Sequence, residues 1–230
     1  MIESLPGYIS VVFILTTFLT IGFLFFAIRQ TAVQTAPAGV LIALISFWLF
    51  FTATAALGGF YTNSTAMPPR VFFFGFFPAL LLIIFYFIFF RKNFIENLPL
   101  KTLTLLSIIR IPVEFVIHLL YQNGQMPQIM TFEGTNFDIL SGITAPLIFW
   151  LAFRKNKINR PLLIVWNIFA LLLLINIVTT AALAIPSPIQ QIAFDQPNVA
   201  VMYFPFIWLP GLVVPIVLFS HLVSLWKLSR

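Results

Sequence analysis

Seven long apolar runs, separated by short polar connections, constrain this chain more than any other feature. They cover approximately residues 7–28, 38–60, 71–90, 100–121, 130–153, 161–184 and 199–226. About 20 apolar residues in a helix span a bilayer, and backbone groups in lipid need internal hydrogen bonds. Because the apolar residues are continuous rather than alternating, they exclude a transmembrane barrel. The sequence therefore predicts an all-α integral membrane protein with seven transmembrane helices.

Composition supports one membrane domain and argues against nucleic acid as a partner. The chain is 61% hydrophobic and 8% charged, and its connections are too short to hold a second domain, so residues 1–230 are predicted to form a single domain. The net charge of +6 follows from basic residues beside the apolar runs, without a basic patch that interleaves stacking residues. The absence of Cys excludes a thiolate metal site and a Cys nucleophile.

The basic residues predict the orientation of the helices. Ten of the twelve fall in the first, third and fifth connections or at the C-terminus, namely Arg29, Arg91, Lys92, Lys101, Arg154, Lys155, Lys157, Arg160, Lys227 and Arg230. Of the other two, Arg70 lies in the second connection and Arg110 inside the fourth run. Since Lys and Arg favour cytoplasmic loops, we expect the N-terminus outside and the C-terminus in the cytoplasm. This pattern is typical of a multi-pass protein of the cytoplasmic (inner) membrane.

Several prolines interrupt the runs. Pro112 lies in the fourth run, Pro146 in the fifth, and Pro205, Pro210 and Pro215 in the seventh. Proline removes a backbone donor, and membrane helices tolerate it where neighbours or water satisfy the freed carbonyl. We therefore expect several proline-kinked helices.

Three ionisable residues follow one another inside the fourth run. Arg110, Glu114 and His118 are spaced four residues apart, so they form one stripe along a helix. With the predicted orientation, Arg110 lies near mid-membrane, Glu114 about 6 Å further out, and His118 near the outer surface. Residues four apart can form an ion pair, so Arg110 is expected to pair with Glu114. Ionisable groups at this depth usually face a cavity or a partner.

Further polar residues lie in the same outer half, in the early fifth run and in the loop of residues 190–198. Together with the stripe they predict an outward-facing cavity with Arg110 as its floor and the loop as its lid. The candidate pocket residues are Arg110, Glu114, His118, Glu133, Asn136, Asp138, Gln191 and Asp195. The alternative is a structural network in which Arg110 neutralises one carboxylate and the other groups stay hydrated.

The residue types leave several functions open. The leading prediction is binding or transport of a small polar or charged solute, which proton exchange at Glu114 and Asp138 could drive, with Arg110 as the partner for a substrate carboxylate or phosphate. The alternative is a membrane-embedded enzyme that acts on a lipid or isoprenoid-like substrate by carboxylate acid/base or metal chemistry. A sensor or a subunit of a membrane complex, with a protein partner or a second copy of the chain, is the third.

The sequence assigns no catalytic residue and no cofactor. The candidates for a metal site are Glu114, His118, Glu133 and Asp138, whose oxygen and imidazole ligands suit Mn, Fe or Zn. Their spacing matches no specific metal motif, so a metal is not favoured. The expected partners are the lipid bilayer and a small polar solute or a lipid-like ligand.

Four residues before the fifth run carry a resemblance. The sequence from Met126 to Ile129, Met-Pro-Gln-Ile, resembles the motif of PQ-loop transporters, which also have seven helices. The first three runs hold no second copy of it. The resemblance covers only these residues and implies no functional position elsewhere.

Overall fold

The structure is a computed structural model that describes residue 2 and residues 5–31, 36–154 and 157–230. Lys155, one of the basic residues used to predict the orientation, lies outside this described part. The protein is 74% helix, with no strand in these ranges. Its main helices are α1 (Gly7–Thr31), α2 (Ala36–Leu57), α3 (Phe72–Phe89), α4 (Leu100–Gln122), α5 (Ile139–Phe153), α6 (Arg160–Ala184) and α7 (Leu209–Leu228).

Six of these helices are long and apolar enough to cross a membrane, namely all except α5. Their outward faces are apolar as well: Phe47, Phe50, Phe89 and Val165 are 62% to 71% exposed. Large apolar side chains exposed in such number are unfavourable in water but favourable against lipid tails. The chain is therefore a helical, multi-pass membrane protein.

The fifth predicted helix is wrong over its first nine residues, because α5 begins at Ile139 rather than at Met130. Side chains bind the backbone of this segment and compete with helix formation. Asn136 Nδ2 donates to the Met130 carbonyl at 2.9 Å, and the Thr131 hydroxyl donates to the Gln128 carbonyl at 2.9 Å. With 15 residues, α5 is about 22 Å long, shorter than the hydrocarbon core of about 30 Å.

The seventh predicted helix is also wrong at its start, because α7 begins at Leu209 rather than at Val199. Residues 199–207 contain a short 3₁₀ turn, Ala200–Met202, and then turns around Pro205. Proline lacks a backbone donor and disfavours helical geometry at the preceding residue, which favours these turns over helix at this point. The apolar content of the segment reflects burial in the bundle instead.

Helices α4 and α7 form the centre of the bundle, and more than half of each is buried. Helix α4 packs against α1, α5 and α7, while α7 packs against α3, α4 and α6. Both helices contain an irregular turn beside a proline: a 3₁₀ turn at Ser107–Ile109 precedes Pro112, and a π turn at Leu209–Val213 contains Pro210. In α4 the irregular turn ends where Arg110 begins the next helical stretch.

Basic residues gather at one end of the bundle. Arg91 and Arg230 both lie over the ring of Trp226, at 5.8 Å and 4.1 Å, and Arg230 Nη1 is 3.0 Å from Glu96 Oε1. Lys101 lies 5.8 Å from the ring of Phe153 at the same end. Residues that begin or end α3, α4, α5 and α7 thus meet in one basic surface, which we call the basic end.

The opposite end is held by an arginine and a tyrosine in the connection between α2 and α3. Arg70 Nη1 donates to the Phe60 carbonyl at 2.9 Å, and its guanidinium lies 4.7 Å from the Phe60 ring. The Tyr61 hydroxyl donates to the Phe74 carbonyl at 3.1 Å, and burial raises the pKa of Tyr61 to about 12. These contacts fix the start of α3 against the end of α2.

Close packing between α4 and α5 depends on Gly142. A Cβ atom placed there would lie 2.8 Å from Ile111 Cγ1 and 3.1 Å from the Ile111 backbone nitrogen. Small residues at helix contacts let two backbones approach in a membrane. Gly142 therefore allows α5 to lie directly against α4, one turn beyond Asp138.

We expect Gly142→Ala to lower the free energy of unfolding by about 1–3 kcal/mol, because the added methyl group overpacks the α4–α5 contact. The matched control is Gly22→Ala in α1, where a Cβ would meet no atom within 4 Å. That control should be neutral or stabilising by up to about 1 kcal/mol, since Ala favours helix over Gly. Thermal melting in lipid nanodiscs measures both, and equal effects would contradict the close approach.

Candidate functional site

A buried ion pair joins three helices in the centre of the protein. Arg110 is 2% exposed, and its Nη1 lies 3.0 Å from Asp138 Oδ1 at the start of α5. The same nitrogen donates to the Ala170 carbonyl on α6 at 3.1 Å. Arg110 therefore links α4 to α5 and to α6 at once.

The predicted pair between Arg110 and Glu114 is wrong, because Asp138 is the acidic partner of Arg110. The irregular segment before α5 brings Asp138 against the guanidinium at 3.0 Å. Glu114 instead accepts a hydrogen bond from Asn136 Nδ2 at 2.6 Å. The two carboxylates are thus held by different partners on one side of α4.

Asn136 connects the Glu114 carboxylate to the backbone at the start of α5. Its Nδ2 donates to Glu114 and to the Met130 carbonyl, and its Oδ1 accepts a hydrogen bond from the Asp138 backbone nitrogen at 3.0 Å. Both polar atoms of its side chain are used, and the residue is 1% exposed. A buried amide with these partners holds Glu114 beside the segment that carries Asp138.

Other polar atoms of the cluster have no hydrogen-bond partner within the described part of the chain. They are Arg110 Nε and Nη2, Asp138 Oδ1 and the hydroxyls of Ser107 and Ser141. Asp138 Oδ1 is at ion-pair distance from Arg110, but the contact lacks hydrogen-bond alignment. Buried groups of this kind carry a large desolvation cost, so the cluster has unused capacity to bind a polar atom.

A cavity of about 70 Å³ lies beside the two carboxylates. Its polar lining consists of Glu114, Asp138 and Asn198, and the other lining residues are apolar side chains, mainly from α3, α4, α6 and α7. The Asn198 Oδ1 is buried without a partner in the described residues. A cavity of this size holds several water molecules or a small organic group.

The loop of residues 190–198 reaches this cavity only through its last residue. Gln196 Nε2 donates to the carbonyls of Tyr121 at 2.8 Å and Met126 at 2.6 Å, which fixes the loop against the end of α4. Gln191 and Asp195, both predicted pocket residues, are exposed and do not line the cavity. Asn198 takes the position at the cavity that the sequence analysis assigned to them.

His118 and Glu133, also predicted pocket residues, form a separate pair nearer the surface. His118 Nε2 lies 3.9 Å from Glu133 Oε1 and 2.9 Å from the Gln122 side-chain nitrogen. The His118 ring stacks on Phe132 at 4.7 Å, and the Glu133 side chain is 48% exposed. Of the predicted pocket residues, the structure thus brings together Arg110, Glu114, Asn136 and Asp138.

The four candidate metal ligands do not converge. Glu114 and Asp138 face the cavity, whereas His118 and Glu133 meet outside it. Among the residues that the structure describes, no three His, Asp or Glu side chains form a group that could hold a metal ion.

A second buried polar contact, between α6 and α7, was not predicted. His221 Nδ1 lies 2.8 Å from Asn167 Oδ1, and Asn167 Nδ2 donates to the Leu163 carbonyl at 2.8 Å. Since Asn167 Oδ1 can only accept, His221 Nδ1 carries the proton, and His221 Nε2 has no partner among the described residues. Each residue stands out in its apolar run, but their pairing depends on the register of α6 against α7.

A larger apolar groove of about 230 Å³ lies between α1, α2, α3 and α7. Its only polar side-chain groups belong to Tyr86 and Trp48. Tyr86 donates to the Pro37 carbonyl at 2.7 Å, and Trp48 donates to the Gly211 carbonyl at 3.0 Å. The described residues that line the groove include no Asp, Glu, His, Lys or Arg.

Comparison with protein families identifies one match. A family model described as a domain of unknown function, DUF8737, matches residues 67–229, which include the whole cluster around Arg110. The chain therefore belongs to the DUF8737 family. Neither the curated proteins nor the solved structures contain a significant match.

We expect Asp138→Asn to lower the free energy of unfolding by about 3–5 kcal/mol, because it leaves the buried guanidinium of Arg110 without a counter-ion. The control is Glu133→Gln, which neutralises an exposed carboxylate and should shift stability by less than about 1 kcal/mol. Chemical unfolding in lipid nanodiscs measures both.

The double substitution Arg110→Met with Asp138→Leu tests the same pair without leaving a charge behind. It should recover most of the stability that Asp138→Asn loses, because both buried charges are removed together. A double variant that is as unstable as Asp138→Asn would show that the ion pair is not the source of the loss.

Proposed function

We propose that this protein binds a small solute in the cavity beside Glu114 and Asp138 and moves it across the membrane. The solute carries an ammonium or another hydrogen-bond-donating group, and the rest of it is apolar. The observation that carries this proposal is the buried cluster of one guanidinium and two carboxylates, both of which line the cavity. We favour a cationic over an anionic solute, since Glu114 and Asp138 line the cavity and Arg110 is not among its lining residues.

The charges of the cluster favour a cation or a proton. With all three groups ionised, Arg110 balances only one of Asp138 and Glu114, so one negative charge remains in a low-dielectric site. Such a charge is unfavourable unless it is neutralised. An ammonium group or a proton bound between Glu114 and Asp138 neutralises this remaining charge. Exchange of a bound proton for a bound ammonium group would couple solute movement to proton movement.

The cavity walls favour a solute with an apolar part. Apart from Glu114, Asp138 and Asn198, the lining consists of apolar side chains such as Val113, Leu174 and Val178. Binding sites of this composition use the apolar walls for affinity and a few polar groups for orientation. An ammonium attached to a short hydrocarbon chain fits both parts.

Buried polar groups beyond the cavity support a path for the solute through the bundle rather than a closed binding site. The Ala170 carbonyl that Arg110 contacts lies three residues after Asn167, so the Asn167–His221 pair is about 4.5 Å nearer the basic end along α6. The cavity lies towards the end that holds Arg70, since Val71 and Phe72 line it. Buried polar side chains thus extend from the cavity into the other half of the bundle.

The proposal includes seven membrane crossings in the inner membrane, with the N-terminus outside and several proline-kinked helices. Helix α5 and the irregular segment before it together form one crossing, and the segment's Met130, Asn136 and Asp138 side chains are buried against the bundle. The basic end is then cytoplasmic, in keeping with the excess of Lys and Arg there. The cavity consequently opens towards the outside.

Thermal melting of the purified protein with small amines tests the binding site. Ethylamine, butylamine and 1,4-diaminobutane should raise the melting temperature at fixed ionic strength, whereas butyrate and inorganic phosphate should not. Glu114→Gln should abolish the shift by the amines, because it removes the carboxylate at the cavity. Glu133→Gln is the matched control and should keep the shift, since Glu133 lies outside the cavity.

Two outcomes would contradict this proposal. Stabilisation by the anions instead of the amines would show that Arg110 binds the ligand. The absence of any shift in melting temperature would show that the cavity does not bind these amines.

A flux assay in proteoliposomes with an internal pH dye tests the transport step. The native protein should show amine-dependent proton flux, and Glu114→Gln should show none. If the amines bind but cause no proton flux, the protein binds the solute without transporting it, and the transport step is contradicted.

Cysteine labelling tests the proposed orientation, and the native chain has no Cys that would interfere. Cys substituted for the exposed residue Asp195 should react with a membrane-impermeant maleimide in intact cells. Cys substituted for the exposed residue Lys157 should react only after the cells are opened. The reverse pattern would invert the topology and place the cavity on the cytoplasmic side.

A further inference from the structure

A cleft at the basic end combines three cationic side chains with apolar walls. It has a volume of about 320 Å³ and lies where α4 and α6 begin and α5 and α7 end. Its cations are Lys101, Arg160 and Lys227, and none of its lining residues is acidic. The volume falls in the range of about 300–1,000 Å³ that is typical of small-molecule sites.

The cations come from three different helices, and two of them contact neighbouring groups. Lys227 is half-buried, and its Nζ donates to the Leu98 carbonyl, which fixes the ammonium at the rim of the cleft. Lys101 lies 5.8 Å from the ring of Phe153, another lining residue. Arg160 is exposed, and its side chain has no hydrogen bond or ion pair among the described residues, so its guanidinium is free to bind an anion.

Among the described residues, the acidic side chain near this end belongs to Glu96, which is already paired with a cation. Glu96 Oε1 lies 3.0 Å from Arg230 Nη1, and Glu96 does not line the cleft. The cleft therefore has an uncompensated positive charge. Arg160 is also the first residue of α6, a helix of 25 residues, and the N-terminus of a helix adds a further partial positive charge at the same place.

The apolar walls indicate what kind of anion fits. Leu100, Phe153, Ile158 and Leu228 line the cleft beside the cations, and Ile158 is 50% exposed. Leu100, Phe153 and Leu228 lie at helix ends, and Ile158 lies in the connection between α5 and α6, so the cleft offers apolar contacts at the border of the bundle. A free anion in solution would not need such walls, whereas a phospholipid places its phosphate and its glycerol ester region at this depth.

We propose that this cleft binds the headgroup of an anionic phospholipid. Lys101, Arg160 and Lys227 contact the phosphate, and the apolar walls contact the start of the acyl chains. Basic clefts between membrane helices are suited to such lipids because charge attraction adds to the burial of apolar surface. This site is separate from the cavity at Glu114 and does not depend on the function proposed for that cavity.

Native mass spectrometry of the full-length protein tests the proposal. The detergent-solubilised protein is titrated with an equimolar mixture of phosphatidylglycerol and phosphatidylcholine, and retained lipid is counted. We expect the native protein to retain phosphatidylglycerol preferentially. The double variant Lys101→Gln with Arg160→Gln should weaken this binding by about 30-fold, from the loss of two cations near the headgroup.

The matched control is Arg29→Gln with Arg91→Gln, which removes the same charge from residues that do not line the cleft. It should keep the preference for phosphatidylglycerol. Since Lys101 and Arg160 are exposed, both double variants should melt like the native protein in phosphatidylcholine nanodiscs. If the cleft variant melts lower, Arg160→Gln alone replaces it, with an expected loss of about fivefold.

Three results would overturn the proposal. An equal loss in both double variants would show diffuse surface charge rather than a site. Equal retention of phosphatidylglycerol and phosphatidylcholine would show that the cleft has no preference for an anionic lipid. If inorganic phosphate at millimolar concentration displaces phosphatidylglycerol from the native protein, the cleft is a site for free phosphate rather than for a lipid.

Discussion

The buried ion pair between Arg110 and Asp138 is the contact on which the centre of the protein depends. A guanidinium in a low-dielectric interior requires an acidic partner, so the start of α5 must lie against α4. Gly142 permits that approach, and the segment before α5 delivers Asp138 while Asn136 holds Glu114. Because Arg110 also binds the Ala170 carbonyl, the position of α6 follows from the same side chain. The cavity lies beside this contact and is lined by Asp138 together with side chains of α3, α4, α6 and α7.

The long helices could be predicted from the sequence because the length of an apolar run is a local property. The starts of the fifth and seventh runs were predicted wrongly for different reasons. Residues 130–138 are rich in polar side chains, and hydrogen bonds from Thr131 and Asn136 to nearby carbonyls replace helical ones. Residues 199–207 are mostly apolar, but they form a short 3₁₀ turn and further turns around Pro205. Hydropathy does not distinguish such an apolar turn from the start of a helix.

The residues of the candidate site could be predicted from the sequence, but their contacts with one another could not. Arg110, Glu114, Asn136 and Asp138 stood out because polar groups are unfavourable inside apolar runs. Which of them pair depends on how α5 lies against α4, and spacing along one helix favours the wrong partner, Glu114. The same reasoning applies to the contact between Asn167 and His221, whose residues are 54 positions apart in the chain.

The shortness of α5 ties this site to the bilayer around it. Ile143, Leu147 and Trp150 are 55% to 57% exposed, so lipid meets α5 along an apolar band much shorter than that of its neighbours. Such hydrophobic mismatch is relieved by local thinning of the membrane at a modest cost per ångström. The free-energy cost of this mismatch falls on α5, which Asp138 directly precedes. Membrane thickness therefore acts on the helix whose start carries Asp138, and the ion pair with Arg110 holds that helix against the bundle.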